Sequence, residues 1–226
     1  MRLLHVVNLR GRGGMEQLFV NYVTAARYQP TEHIVGVKST VNPALRPKLR
    51  EAGVEVVGLK HWGGMPIPDV GRLRRSRLDA LLNRTAPERV VFWSTLPTED
   101  WLAALSDRAI GIIYYDHGKA WRLDSETLEQ HLGPTERIVT VSRAGAAILR
   151  ARCSKLTQPV HTVANKIPLT SHPETRAYQP GGRLRIGFAG RLVPKKGLPI
   201  VIAAVERLIT QGLDCHLSIA GEGPDY

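Results

Sequence analysis

Cysteine is scarce in this sequence: Cys153 and Cys215 are the two present, with no C-x-x-C spacing. That excludes a disulfide framework and a cysteine-held metal site, and leaves two reduced thiols with packing roles. Long apolar runs are missing as well. No stretch of 18 uncharged apolar residues occurs, and the opening MRLLHVVNLRGRGG meets charge and glycine where a signal peptide would stay apolar. Both absences lead to the expectation of a cytoplasmic protein. Acidic residues are in short supply too, 20 against 31 Lys and Arg, for a net charge of +11 and a pI near 10.1. A surface that basic attracts phosphate-rich partners, whether nucleotide, anionic lipid or nucleic acid, and the sign alone does not choose among them.

With 43% hydrophobic residues over 226 positions, the chain has enough apolar material for a real core. Apolar runs of strand length recur at 2–7, 33–37, 54–59, 89–93, 109–115, 137–141 and 159–163. Helical patterns at 15–28, 43–53, 70–84 and 142–153 lie between some of them. This alternation predicts an α/β fold, a parallel sheet crossed over by helices and covered on both faces. From Ala164 to Arg183 the pattern gives way to three prolines without apolar periodicity, a linker composition. The expected organisation is therefore a first Rossmann-like domain over 1–165, a linker over 166–183, and a second domain begun at 184–226. In the second, 184–190 and 215–221 read as strands and 196–212 as a helix. Two strands and one helix do not bury both faces of a parallel sheet, so the sequence reads as a truncated form of something longer.

Ligands of open α/β sheets bind beyond the carboxyl ends of the strands. Three segments there hold chemically informative residues. The first, NLRGRGGME (Asn8 to Glu16), is a glycine loop ahead of a helix, suited either to a tight turn or to bringing backbone N–H groups against an anion. It fits neither the G-x-G-x-x-G nor the P-loop pattern. The second, YYDHGKAW (Tyr114 to Trp121), places Asp116 and His117 where side chains project into a cleft. A histidine there either packs or orients a sugar hydroxyl. The third, GFAGRLVPKKG (Gly187 to Gly197), puts Arg191 just past a strand and Lys196 at the mouth of a helix. These are solvated cations or, with the helix N-terminus, a diphosphate site. The basic run GRLRRSR (Gly71 to Arg77) is a solvated helix face or a contact for a membrane or another polyanion.

The third segment, continued as GFAGRLVPKKGLPIVIAAVERL, resembles the G-R-L-x-x-x-K-G segment of family 4 glycosyltransferases, and LSIAGEGPDY resembles the strand and G-x-G-P loop that follow it there. Upstream, in the family's order, RGGME (Arg12 to Glu16) is similar to its GG-x-E loop, DHG to its histidine loop, and VTVSRAGAAIL to its V-S-x-x-x-x-x-x-L segment.

The resemblance implies a GT-B architecture, two Rossmann-like domains facing each other across a cleft. It also implies transfer of a sugar from a nucleotide-sugar donor to a glycan or lipid-linked acceptor in cell-envelope or exopolysaccharide synthesis, with retention of configuration. Arg191 and Lys196 would bind the donor diphosphate, Gly13 and Gly14 would approach its phosphates, and His117 would lie beside the transferred sugar. No cofactor or metal is expected, in keeping with the absence of a D-x-D motif. The site would be peripheral at the inner face of the cell membrane if the basic run meets anionic lipid, and nucleic acid is not an expected partner. Two departures stand out. ANKIPL keeps only Asn165 of the family's N-G-x-D, and the chain ends before the family's E-x7-E segment. Weak or absent transferase activity is therefore expected of these 226 residues alone. Two alternatives stay open: a non-catalytic remnant or binding subunit of a GT-B protein, and a sugar-nucleotide 2-epimerase.

Overall fold

The computed structural model describes residues 1–11, 13–25, 30–37, 40–59, 61–62, 65–66, 71–118, 122–166 and 182–224. Arg12, Lys119 to Trp121, the side chains of Arg72 and Arg74, and residues 167–181 of the expected linker lie outside the described residues. The chain divides into two compact units, Met1–Leu169 and Thr170–Tyr226.

The first unit runs β1 (Arg2–Val7), α1 (Gly14–Ala25), β2 (Glu32–Val37), α2 (Arg46–Glu51), β3 (Glu55–Gly58), the short hairpin β4 (His61–Trp62) and β5 (Met65–Pro66), then α3 (Gly71–Thr85). It continues with β6 (Arg89–Trp93), α4 (Glu99–Ser106), β7 (Gly111–Asp116), α5 (Ser125–Leu132), β8 (Arg137–Thr140), α6 (Arg143–Arg152) and β9 (Val160–Thr162). Seven strands form one parallel sheet in the order β3-β2-β1-β6-β7-β8-β9. The expected α/β class with a parallel sheet is what the structure has.

Several local expectations need correction. Helices α4 and α5 fill spans with no helix assigned from periodicity. Each is eight residues long, too short to establish a 3.6-residue rhythm, although the end signals are present: Glu99 and Asp100 in the first turn of α4, and Asp124 capping α5 by accepting from the Thr127 N–H at 2.7 Å. A hairpin of two-residue strands stands where HWGGMPIPD reads as loop. Helix α2 begins only at Arg46, so Pro47 sits in its first turn, where its missing N–H breaks no bond.

Coverage of the sheet is also less even than anticipated. On one face α3, α4, α5 and α6 bury Leu4, Val6, Val90, Phe92, Ile112, Tyr114 and Ile138. On the other, α1 and α2 bury Val7, Val35, Val37, Val91 and Trp93, while Ile113, Tyr115 and Val139 stay half-buried. The strict in-out alternation of β7 records this, because among the described residues no helix packs over that part of the sheet.

One buried strand residue is polar. His5, fully buried in β1, accepts a hydrogen bond at Nδ1 from the Trp93 indole N–H at 3.1 Å. Its proton must then sit on Nε2, which donates to Nδ1 of His33 at 2.8 Å. His33 in turn carries its proton on Nε2, shielded from solvent and without a protein partner. Burial, reinforced by His33, pushes the His5 pKa down to about 3, and burial lowers that of His33 too. Folding thus favours the neutral rings. The unfolded chain binds more protons between the ordinary histidine value and about pH 3, so stability is full above pH 6.5 and falls as pH drops through that window. Denaturant melts at pH 7 and pH 5 should differ by about 2 kcal/mol from His5 alone. Equal stability at the two values would mean that the pair is not neutral and buried as described.

Candidate active site at the carboxyl edges of the strands

Strand order sets where a ligand can go. β1 pairs with β2 on one side and β6 on the other, so the chain reverses its direction of travel through the sheet between β1 and β6. The crevice beyond the carboxyl ends at such a point is where open α/β sheets bind ligands. The loops after β1, β6, β7 and β8 lie along this edge.

After β1, Gly13 accepts from the Gln17 N–H at 3.1 Å and Gly14 opens α1 with free space around it. The glycines serve first a neighbour that the phosphate reading overlooked. A Cβ on Gly11 or on Gly13 would lie 2.8 Å from the carboxylate of Glu16, which folds back over the loop. An acid there has the wrong sign for a phosphate, so contact from Gly13 requires Glu16 to swing aside. The loop before α2 is tied in, with the Asn42 N–H donating to the Leu9 carbonyl at 2.8 Å and the Asn42 amide to that of Arg10 at 3.2 Å.

After β7 the expected pair of projecting side chains separates. Asp116 is the last residue of the strand and is buried. Its carboxylate accepts from the Tyr114 hydroxyl at 3.4 Å and from the Gly118 N–H at 3.1 Å. It is a brace for the loop, and it helps burial to raise the Tyr114 pKa. Gly118 adopts φ +95, which only glycine takes without strain, and so permits the chain to turn.

His117 faces the other way, its ring stacked on Tyr115 at 5.1 Å and on Trp93 at 5.9 Å. Its Nε2 is shielded and has no protein partner. Burial lowers its pKa, with Asp116 opposing, which keeps the imidazole neutral at pH 7. A neutral imidazole with one unsatisfied nitrogen can accept from or donate to a hydroxyl. A cavity of about 270 Å³ lies here, lined by Asp116, His117, Gly118, Arg122, Val141, Ser142 and Gly145. Ser142 caps α6 by accepting from the Gly145 N–H at 3.0 Å. Arg122 was not singled out from sequence, and Ser142 entered only as the serine of the V-S-x-x-x-x-x-x-L resemblance, with no role given to it. A larger depression, about 590 Å³, opens between Met1, Arg2, Glu32 and Glu88 at the amino ends of the strands. It is occupied by surface ion pairs such as Arg2–Glu32 at 2.7 Å and lies on the edge such sheets do not use.

The second unit contains β10 (Leu184–Ala189), a one-turn 3₁₀ helix (Pro194–Lys196), α7 (Leu198–Thr210) and β11 (Cys215–Ala220), the strands paired in parallel. Arg191 lies two residues past β10, and Lys196 ends the 3₁₀ turn instead of opening α7. Gly197, at φ +74, joins the two. Arg191, Lys195 and Lys196 are all exposed and make no ion pair among the described residues. The start of α7 offers an anion less than its position suggests, since Pro199 has no N–H and the Ile200 and Val201 N–H groups donate to the Gly197 carbonyl.

The Arg191 segment is held by backbone hydrogen bonds and by the buried side chain of Leu192. Gly190 N–H donates to the Ala220 carbonyl at 3.0 Å and Leu192 N–H to that of Glu222 at 2.9 Å. A Cβ on Gly221 would overlap the Gly190 carbonyl, and one on Gly223 that of Leu192, so the G-E-G spacing is needed for the two loops to touch. Arg191 and Lys196 thus belong to the second unit, and Gly13, Gly14 and His117 to the first.

No protein-family model matches the sequence, and no curated protein sequence does either. Solved structures do match in three dimensions. A glycosyltransferase from Rickettsia africae superposes with a TM-score of 0.67 at 12% identity, over 99% of this chain and 69% of that one. HepE of Anabaena, solved with UDP-glucose, gives 0.59 at 13% identity, over 100% of this chain and 70% of its own. The fold is of the GT-B type. A UDP-GlcNAc 2-epimerase from Neisseria meningitidis, bound to UDP-GlcNAc, gives 0.50 at 13% identity, over 73% of this chain and 47% of the other. The chain therefore spans between about half and 70% of the length of these GT-B structures.

Among the described residues no group of three or more His, Cys, Asp or Glu is placed to hold a metal ion, and no helix is long and apolar enough to cross a membrane. Gly221→Ala should release the Arg191 segment. Hydrogen exchange of the Leu192 amide is expected to quicken at least about tenfold, and unchanged protection would show that the backbone contact does not fix this loop.

Proposed function

We propose that the chain is part of a sugar-nucleotide-dependent glycosyltransferase of the family 4 kind. Residues 1–165 form the acceptor-side domain, 166–183 a linker, and 184–226 the beginning of the donor-side domain. The observation that carries the reading is the Arg191–Lys196 turn: two exposed cations without ion-pair partners among the described residues, on a backbone locked at the carboxyl edge of a parallel strand pair. The GT-B fold and the UDP-glucose held by HepE support it.

When the bond between the anomeric carbon and the donor phosphate oxygen breaks, negative charge accumulates on the departing diphosphate. Arg191 offers a fork of donors and Lys196 a mobile point charge to stabilise it. This is the role a divalent ion plays in metal-dependent transferases, so the reaction proposed needs none. Gly13 and Gly14 contribute backbone N–H groups once Glu16 moves. His117, neutral at pH 7, binds a hydroxyl of the transferred sugar, and the reaction retains configuration. The acceptor is a glycan or a lipid-linked saccharide of cell-envelope or exopolysaccharide synthesis.

Peripheral docking on an anionic membrane falls to Arg72, Arg74 and Arg77, because Arg75 is engaged by Asp79 at 3.4 Å and by Asp107 at 2.5 Å. A second reading, a UDP-sugar 2-epimerase, draws on the likeness to the Neisseria enzyme. It is told apart by turnover of the sugar nucleotide without any acceptor.

Isothermal titration with UDP-glucose tests the donor site. Arg191→Ala and Lys196→Ala should each weaken binding by about tenfold or more, whereas His117→Ala should leave UDP affinity unchanged. Affinity indifferent to both cations would overturn the reading. Reversing Arg72, Arg74 and Arg77 to Glu should abolish sedimentation with phosphatidylglycerol vesicles, and unaltered sedimentation would remove the membrane role.

A further inference from the structure

We infer that Ser94 is a positioning residue for His117: a strained serine at the end of β6 whose hydroxyl oxygen holds the His117 backbone and so sets where the imidazole lies. The inference rests on the reading that His117 serves the transferred sugar.

Ser94 follows Trp93, where β6 stops, and its φ is +45. A side chain in that left-handed region costs on the order of 1 kcal/mol that glycine would avoid. The strained conformation turns both polar groups of Ser94 toward the neighbouring strand. Its N–H donates to the Tyr115 carbonyl at 2.8 Å, and its Oγ accepts from the His117 N–H at 2.9 Å. Residues 115 and 117 of the β7 end are thereby gripped from one side, while Asp116 between them points to the opposite face.

The regular pairing of β6 with β7 ends at Trp93 and Tyr115. Ser94 Oγ takes over one step further on, where no backbone carbonyl of β6 is available to His117. Glycine would relieve the φ but has no oxygen to offer, and alanine would keep the strain without the bond. The serine therefore combines two properties that stability alone would not select together. What the bond fixes is the ring that stacks on Tyr115 and Trp93 and leaves its Nε2 without a protein partner.

The test uses the full chain, with NMR titration of the His117 ring and thermal melting of Ser94→Gly and Ser94→Ala. In both variants the His117 midpoint should rise measurably toward the ordinary histidine value, because a loosened loop exposes the ring. Ser94→Gly should melt no lower than the parent, its lost bond offset by relief of strain, while Ser94→Ala should melt lower. If Ser94→Ala does not fold, Ser94→Gly decides. A His117 titration identical to the parent's in Ser94→Gly overturns the inference, whatever the melting temperature. Titration with UDP-glucose separates the two claims. UDP-glucose affinity that Arg191→Ala and Lys196→Ala leave unchanged, with a His117 shift in the Ser94 variants, refutes the transferase reading and keeps the positioning role. Affinity weakened by those two substitutions, with no His117 shift, does the reverse.

Discussion

The parallel pairing of β1 with β6, and of β6 with β7, is the constraint on which the rest of the first unit depends. Parallel strands send every carboxyl end to the same edge, so the loops that follow Val7, Trp93, Asp116 and Thr140 converge although they lie far apart in the chain. The pairing also decides what the core must tolerate. His5 stands in register with Val91, two residues before Trp93, and that placement brings a buried imidazole within reach of an indole N–H. A polar residue survives inside an apolar strand because each of its nitrogens finds a partner.

The loops of the first unit carry neutral and braced groups, and the loop after β10 in the second unit carries exposed cations. In the first unit Asp116 is buried and hydrogen-bonded, Glu16 folds over its own loop, and His117 is kept neutral by burial. Fixed charge is accordingly muted along these loops. In the second unit Arg191 and Lys196 stay exposed and unneutralised by any ion pair among the described residues.

Close backbone approach is the second recurring device. Gly221 and Gly223 let the loop after β11 lie directly on the loop after β10, where backbone hydrogen bonds and the buried Leu192 fix the Arg191 segment. Ser94 does the corresponding work in the first unit with one hydroxyl and a strained φ. Both place a loop through hydrogen bonds to its main chain.

The sequence by itself determined a good deal. Apolar runs located the strands of the seven-stranded sheet and of the β10–β11 pair to within a residue or two, because strand burial is a local property of consecutive residues, while the hairpin of β4 and β5 was too short to show. The glycine at position 197 was legible because a left-handed turn has few alternatives. The cations at 191 and 196 were visible as chemistry, though their backbone setting was misjudged by one turn of 3₁₀ helix. Helices α4 and α5 were missed because eight residues give too little periodicity to separate from a loop. Only the tertiary structure decided strand order, since nothing local says that β1 lies between β2 and β6. It alone decided that Asp116 points inward while His117 does not, that Glu16 shares the glycine loop, and that Ser94 reaches across to the next strand. Those are relations between distant segments, set by hydrogen-bond register and side-chain packing.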